Sequence, residues 1–337
     1  MKTFEIQQSF GLDSLVSGER PVPAPGPHEV LIRMRAVSLN YRDLSVIKGF
    51  YNPNQTLPLI PVSDGVGEVV MLGGQVSRVK LGDRVSPNYA HKWISGTPDK
   101  TNLYSTVGSP TDGLLTEYVV VHEDALVLVP EHLTDEEAAS LPCAGVTAWH
   151  AVVAEGKVKE GDTVVIQGTG SVSLFALQFA KIHGAKVIVT SSSDKKLAQA
   201  KKLGADFGIN YATNPDWEKA VLDNTNGSGA DHVIDVGGAR TINQSIAAVR
   251  IGGRVSVVGI LTGPIAESFN IVAVMLKKPT IQGINGGSRE MFESMNRAIT
   301  ANQLHPVIDR VFPFEQSIEA FHYLDQGNRF GKVAIKL

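Results

Sequence analysis

Cysteine is nearly missing from this chain: Cys143 is the only one in 337 residues. A disulfide framework inside the chain is excluded, and so is a zinc site built from several thiolates. The nine histidines contain no His-x-His or His-Glu-x-x-His pair, so the usual metal-binding spacing of imidazoles is missing too. No apolar run approaches the length of a membrane span, and the opening MKTFEIQQSF has no signal-peptide core. Neither sign of charge dominates. Thirty-one Lys and Arg against 34 Asp and Glu leave a net charge of −3, which supplies no basic field for nucleic acid or an anionic membrane. These absences lead to the expectation of a cytoplasmic protein with no metal and no nucleic-acid or membrane partner. The length suggests about two domains.

What is present is concentrated after residue 160. An apolar strand, TVVIQ, runs into Gly168-Thr169-Gly170-Ser171-Val172-Ser173. An apolar-faced helix follows, and then a second apolar strand, KVIVT. This is half of a dinucleotide-binding unit. Gly168 supplies the tight turn, and Gly170 lets the main chain approach a pyrophosphate. The helix beginning near Ser171 aims free N–H groups and its positive dipole end at the phosphates. The third fingerprint position, normally Gly or Ala, is Ser173.

An acidic residue is also missing where it would matter. In NAD-preferring folds an Asp or Glu ends the second strand and binds the ribose 2′-OH. Here the chain reads Thr190-Ser191-Ser192-Ser193, followed by Lys195 and Lys196. Hydroxyls and positive charge suit a 2′-phosphate, so the expected cofactor is NADPH. An ordinary serine helix cap with solvated lysines gives the same pattern, and the two readings are compatible.

The regions either side of residue 125 differ in pattern. Residues 1–125 carry short apolar runs broken by Gly and Pro, such as EVLIRMRAVSL and DGVGEVVMLG, the spacing of a small β-barrel-like domain. Residues 126–289 open with a capping box, Thr134 to Glu137. Strands there alternate with helices through HVIDV and RVSVVGI, which argues for a doubly wound parallel sheet covered on both faces. Residues 290–337 are expected to return to the first domain. The active cleft is expected between domains, at the carboxyl ends of the sheet strands. Small residues there, around Gly237, Val258, Gly259, Ile284 and Gly286, would permit a flat nicotinamide to approach. The polar stretch 86–112 is either a solvated insertion or a loop over a cleft, and its Trp93 and Tyr104 could form an aromatic wall.

Matching stretches run in order along nearly the whole chain: AVSLNYRD at 36–43, VSDGVGEV at 62–69, GDRV at 82–85, LPCAGVTAW at 141–149, the glycine loop, and Gly331-Lys332-Val333. With them the chain resembles a zinc-independent medium-chain dehydrogenase/reductase of the quinone oxidoreductase type. The resemblance implies an α/β protein in which a GroES-like β-barrel domain joins a Rossmann domain. It also implies a homodimer formed through Rossmann sheet edges.

Zinc-using members place Cys, His and Cys ligands at the positions of Asn40, Ser63 and Cys143, and only Cys143 remains. The resemblance assigns Asn40 and Tyr51 to the catalytic site, with Asp43 orienting the loop. Thr147 falls near the nicotinamide amide, and Lys196 and Tyr211 flank the 2′-phosphate. Each has a plainer reading: Asn40 as a turn residue, Tyr51 as a surface aromatic, Asp43 as a cap or the partner of Arg42, Thr147 as a helix cap. Tyr41 competes with Tyr51 for the donor role. The implied activity is hydride transfer from NADPH to quinones or α,β-unsaturated carbonyls. The alternatives are a zinc-free alcohol or carbonyl reductase, and a non-catalytic NADPH-binding protein.

Overall fold

A computed structural model describes residues 1–337. Contacts divide the chain into two compact units, one of Met1–Val146 with Gly286–Leu337, the other of Thr147–Asn285.

The first unit is built on a seven-stranded sheet. Its long central strand, Glu29–Leu39, pairs antiparallel with Asp64–Leu72, with Tyr118–His122 and with Lys332–Lys336. The run EVLIRMRAVSL puts Val30, Ile32, Met34 and Ala36 inward, while Arg33 and Arg35 reach outward to Glu68. The core closes with Phe4, Ile6, Leu114, Phe312, Phe321 and Ile335. One strand, Ile308–Pro313, pairs parallel with Lys332–Lys336. The sequence pattern does not show it, because Pro306 and Pro313 bracket a run of mixed polarity.

The second unit is a six-stranded parallel sheet. In chain order its strands are Thr163–Gln167, Lys186–Ser191, Phe207–Asn210, Ala230–Asp235, Val249–Val257 and Thr280–Gly283. Numbered one to six, they lie in the order 3-2-1-4-5-6, the doubly wound arrangement that sets ligand sites at the carboxyl ends of the strands. Val164, Val165, Ile166, Val187, Ile188 and Val233 are buried, as a sheet covered on both faces requires. Helix Ser171–Ile182 lays Leu174, Phe175, Leu177 and Phe179 into that core, and Trp149 meets Phe179 edge-on at 5.2 Å. No helix is long and apolar enough to cross a membrane.

Candidate active site

Strand register gathers the chemistry of the first unit. Leu39 pairs with Val333, and Ser38 pairs with Asp64. Residues 40, 64 and 332 therefore meet at one end of the sheet. Asn40 leaves its strand as the N-cap of helix Tyr41–Ile47. Asn40 and Asp43 are placed as a capping box at this helix start, with no well-formed hydrogen bond from the first turn to the Asn40 side chain. Asn40 Oδ1 instead accepts from Lys332 Nζ at 2.8 Å. Asp43 Oδ2 accepts the Asn40 backbone N–H at 2.8 Å.

A closed ring of side chains results. Asn40 Nδ2 donates to Ser63 Oγ at 3.4 Å, and Ser63 Oγ donates to Asp64 Oδ1 at 2.9 Å. Lys332 Nζ completes the ring on Asp64 Oδ2 at 3.4 Å, where the Cys143 N–H also donates at 3.2 Å. Lys332 is 1% exposed, and Ser63 and Asp64 are fully buried. An ammonium is tolerated at such depth only with a carboxylate and hydrogen-bond acceptors around it.

Neighbouring groups are tuned by the same burial. Desolvation pushes the Asp43 carboxyl up to about 6, against the pull of Arg42 at 3.3 Å. The half-buried Cys143 thiol is pushed up to about 12, by desolvation first and then by the Asp64 carboxylate, so it keeps its proton. Burial opposes the Arg42 charge, but Tyr89, Asp43 and Tyr51 outweigh it and hold the guanidinium above its ordinary value. That guanidinium lies 4.6 Å from the Tyr51 ring centre and 5.2 Å from that of Tyr89. The two phenol oxygens are 3.2 Å apart. Tyr51 is 41% exposed and Tyr89 only 3%, and burial raises the Tyr89 phenol well above its usual value.

Sequence reasoning named Asn40, Asp43 and Tyr51 but missed Lys332, Asp64 and Tyr89 as members of this cluster. Lys332 and Asp64 sat inside recognised motifs without a role. Tyr89 lies at the head of the polar stretch, where Trp93 drew attention instead. Trp93 is 2% exposed, packs with Tyr89, Ala90 and Leu103, and donates its Nε1–H to Gly96 O at 2.9 Å. It braces the loop rather than walling a cavity, and Tyr104 is exposed.

In the second unit Gly168 has φ +73°, which a side chain resists. A Cβ on Gly170 would meet nothing within 4 Å, so that face of the loop is open. Gly170 caps helix Ser171–Ile182 without a side-chain bond, leaving first-turn N–H groups beside Thr169, Ser171 and Val172. Ser173 donates its hydroxyl to Gln167 O at 2.7 Å, which explains why serine is accepted where Gly or Ala is usual.

Ser191 pairs with Asn210 across the second and third strands, and the Tyr211 N–H donates to Ser191 O at 3.0 Å. Ser191, Ser192 and Tyr211 thus share one sheet end. Ser193 caps the next helix by accepting the Lys196 N–H. Thr147 is buried. Glycine at 237 and 259 is set by packing: a Cβ would fall 2.5 Å from Thr241 Oγ1 and 2.6 Å from Val236 O. Val258 and Ile284 follow the fifth and sixth strands. Gly286 belongs to the first unit, where a Cβ would fall 2.8 Å from the Tyr89 ring.

No group of three or more His, Cys, Asp or Glu side chains is arranged to hold a metal ion.

Comparison with known proteins agrees with this architecture. Residues 26–131 match the alcohol dehydrogenase GroES-like domain, and residues 171–301 the zinc-binding dehydrogenase family. A zinc-type alcohol dehydrogenase-like protein of Schizosaccharomyces pombe is 44% identical over 97% of this chain and 96% of its own. An acryloyl-coenzyme A reductase of Sulfurisphaera tokodaii is 29% identical over 94% of this chain and 95% of its own. Among solved structures, an NAD-dependent alcohol dehydrogenase superposes with a TM-score of 0.92 at 34% identity, covering 100% of both chains. The quinone oxidoreductase of Coxiella burnetii superposes at 0.80 with 28% identity, covering 100% of this chain and 99% of that one. A GroES-like sheet carrying a buried polar cluster, a 3-2-1-4-5-6 parallel sheet with a glycine loop, and full-length similarity of this order converge: the chain belongs to the medium-chain dehydrogenase/reductase family of oxidoreductases.

Proposed function

We propose that this protein is an NADPH-dependent reductase of quinones and α,β-unsaturated carbonyl compounds that works without zinc. The observation that carries the reading is the Lys332 ammonium held among Asn40, Ser63 and Asp64. A cation already stands beside the positions that hold zinc in the resembled alcohol dehydrogenases, and Asn40 Oδ1 is committed to it. Cys143 is the one ordinary zinc donor left at these positions, and an amide and a hydroxyl are poor zinc ligands. The donor set does not fit the metal.

The second unit fits a dinucleotide. Gly168, Thr169, Gly170, Ser171 and Val172 would hold the pyrophosphate, and Ser191, Ser192, Lys196 and Tyr211 the 2′-phosphate. Thr147, Gly237, Val258, Gly259, Ile284 and Gly286 are assigned to the nicotinamide side. When bound, the dihydronicotinamide supplies hydride. Addition to the β-carbon of an enone, or to a quinone, drives an electron pair onto the acceptor's carbonyl oxygen. Asn40 Nδ2 donates to that oxygen as its charge grows. The Tyr51 hydroxyl delivers the proton that completes reduction and regains one from water at its exposed edge. Arg42 and Tyr89 hold the Tyr51 ring and hydroxyl in place.

The acryloyl-coenzyme A reductase and quinone oxidoreductase relatives support this acceptor class. The alcohol dehydrogenase relatives favour a second reading, interconversion of simple alcohols and carbonyls without zinc. The test is NADPH oxidation with 1,4-quinones and enones, set against NADP+ reduction with simple alcohols, before and after chelation. The proposal expects quinone or enone turnover untouched by chelator. Activity lost with chelator and restored by zinc would sink it. Tight NADPH binding with no turnover over a broad panel would make the protein a binding module.

The reading includes a homodimer. The edge strand Thr280–Gly283 is exposed along its length, and helix Ile271–Lys277 buries no residue. Ile271, Val272, Met275 and Leu276 are all more than half exposed. An apolar face beside an unpaired strand edge suits a second copy of the same chain. Light scattering should find twice the chain mass, and Met275→Glu should return the monomer.

A further inference from the structure

We propose that Lys332 is a positioning residue that aims and strengthens the Asn40 amide as the donor to the developing oxyanion, a role that rests on the reading of Asn40 given above. The ring of hydrogen bonds has only one polarity. Lys332 can only donate, so the Asn40 atom 2.8 Å from it is the oxygen. The Ser63 hydroxyl donates to Asp64, so its lone pair faces Asn40 Nδ2. The amide cannot flip without setting N–H against ammonium. Asn40 and Asp43 are placed as a capping box, so the Asn40 oxygen lies between the first turn and the ammonium, and its hydrogen bond of good length is the one to Lys332.

Lys332 thus competes with the helix cap for the Asn40 oxygen and leaves the amide nitrogen as the group able to donate. One N–H makes the long 3.4 Å contact to Ser63, and the other makes no hydrogen bond within the protein. An ammonium on the amide oxygen also withdraws electrons from nitrogen, which makes those N–H groups better donors. Asp64, with its Cys143 N–H and Ser63 contacts, keeps the ammonium in register. A single buried cation thereby serves the first unit without being a ligand of the acceptor.

The experiment is a double-mutant cycle read with NADPH and 1,4-benzoquinone, and again with an enone. Asn40→Ala should lower kcat about 100-fold, the usual cost of one oxyanion donor. Lys332→Met should lower kcat by roughly 30-fold while KM for NADPH stays within about twofold. Adding Lys332→Met to Asn40→Ala should cost less than about threefold more, because the lysine acts through the asparagine. Lys332→Arg should recover part of the loss.

Additive losses, or a fall in NADPH affinity as large as the fall in kcat, would overturn the proposal. An activity-independent readout stands beside it: in a crystal structure of Lys332→Met, or of Lys332→Gln if the first folds poorly, Asn40 Oδ1 should turn away from residue 332 and close a well-formed hydrogen bond to a first-turn N–H. An amide that stays where it is would equally refute the role. If the unmodified protein reduces no conjugated acceptor, the proposed function fails, and the amide orientation still decides whether Lys332 aims Asn40.

Discussion

Asp64 and Asp235 are both fully buried carboxylates, one in each unit, and they are satisfied by opposite means. On one oxygen Asp235 accepts the N–H of Gly237 at 3.0 Å, that of Gly238 at 2.8 Å and the Thr241 hydroxyl at 2.7 Å. Its other oxygen accepts the Ser245 hydroxyl at 2.6 Å, which in turn accepts from Gln167 Nε2 at 2.8 Å. Every donor is neutral. Asp64 faces the Lys332 ammonium. A carboxylate surrounded by fixed neutral dipoles is a brace: it shapes the turn after the fourth strand and ties it to the end of the first. A carboxylate facing a buried cation anchors a charge that polarises whatever else touches that cation. One network holds a loop by neutral dipoles, and the other holds a charge.

That contrast breaks most sharply at Asp235. Asp235→Asn turns one oxygen into a donor facing donors, and should destabilise the fold by about 3 kcal/mol, read as a lower denaturant midpoint at unchanged slope. If stability hardly moves, the brace is not structural. At the carboxyl end of the second strand of the parallel sheet, Ser191→Asp places a carboxylate where the 2′-phosphate is proposed. The NADPH-to-NADH ratio of kcat/KM should fall roughly 30-fold, about 2 kcal/mol of discrimination; an unmoved ratio puts the 2′-phosphate elsewhere. In the first unit, Tyr51→Phe should lower kcat about tenfold with cofactor affinity intact. Equal losses in both would make Tyr51 a structural aromatic.

The smallest effect is on acid stability. Each unit holds one histidine kept neutral by burial, His91 pushed down to about 4 and His232 to about 3. Their folded values lie below the unfolded value near 6.5. Stability is therefore fully present above pH ~6.5 and is lost as pH falls toward those folded values, because the unfolded chain binds the protons first. His232→Gln should shift the acid-unfolding midpoint down by roughly half a pH unit, leaving His91 as the trigger in the first unit. A midpoint that does not move would show that carboxylates govern acid unfolding.

The two units were unequally legible in the sequence. A parallel sheet covered on both faces needs continuous apolar strands, so TVVIQ, KVIVT and HVIDV stood out at once. Local chemistry was legible as well: Thr134 and Glu137 form the expected capping box, and Ser193 caps its helix. The stretch 86–112 was harder. It reads as polar, yet Tyr89, Ala90 and Trp93 form a buried cluster. Asn88 Nδ2, bonded to Ala90 O at 2.9 Å and Gly287 O at 3.3 Å, ties it to a segment 199 residues away. Asn40 was found through its neighbours in the motif, but its partner Lys332 was not, since 292 residues separate them.

By itself the sequence determined the elements whose cause is local: apolar strands, capped helices, a glycine turn, a missing carboxylate after the second strand, and a single cysteine with no His-x-His pair. Only the tertiary structure decided that residues 40, 64 and 332 would share a buried ring. That meeting depends on strand register, and slipping any of those strands by one residue would turn its side chains to the opposite face.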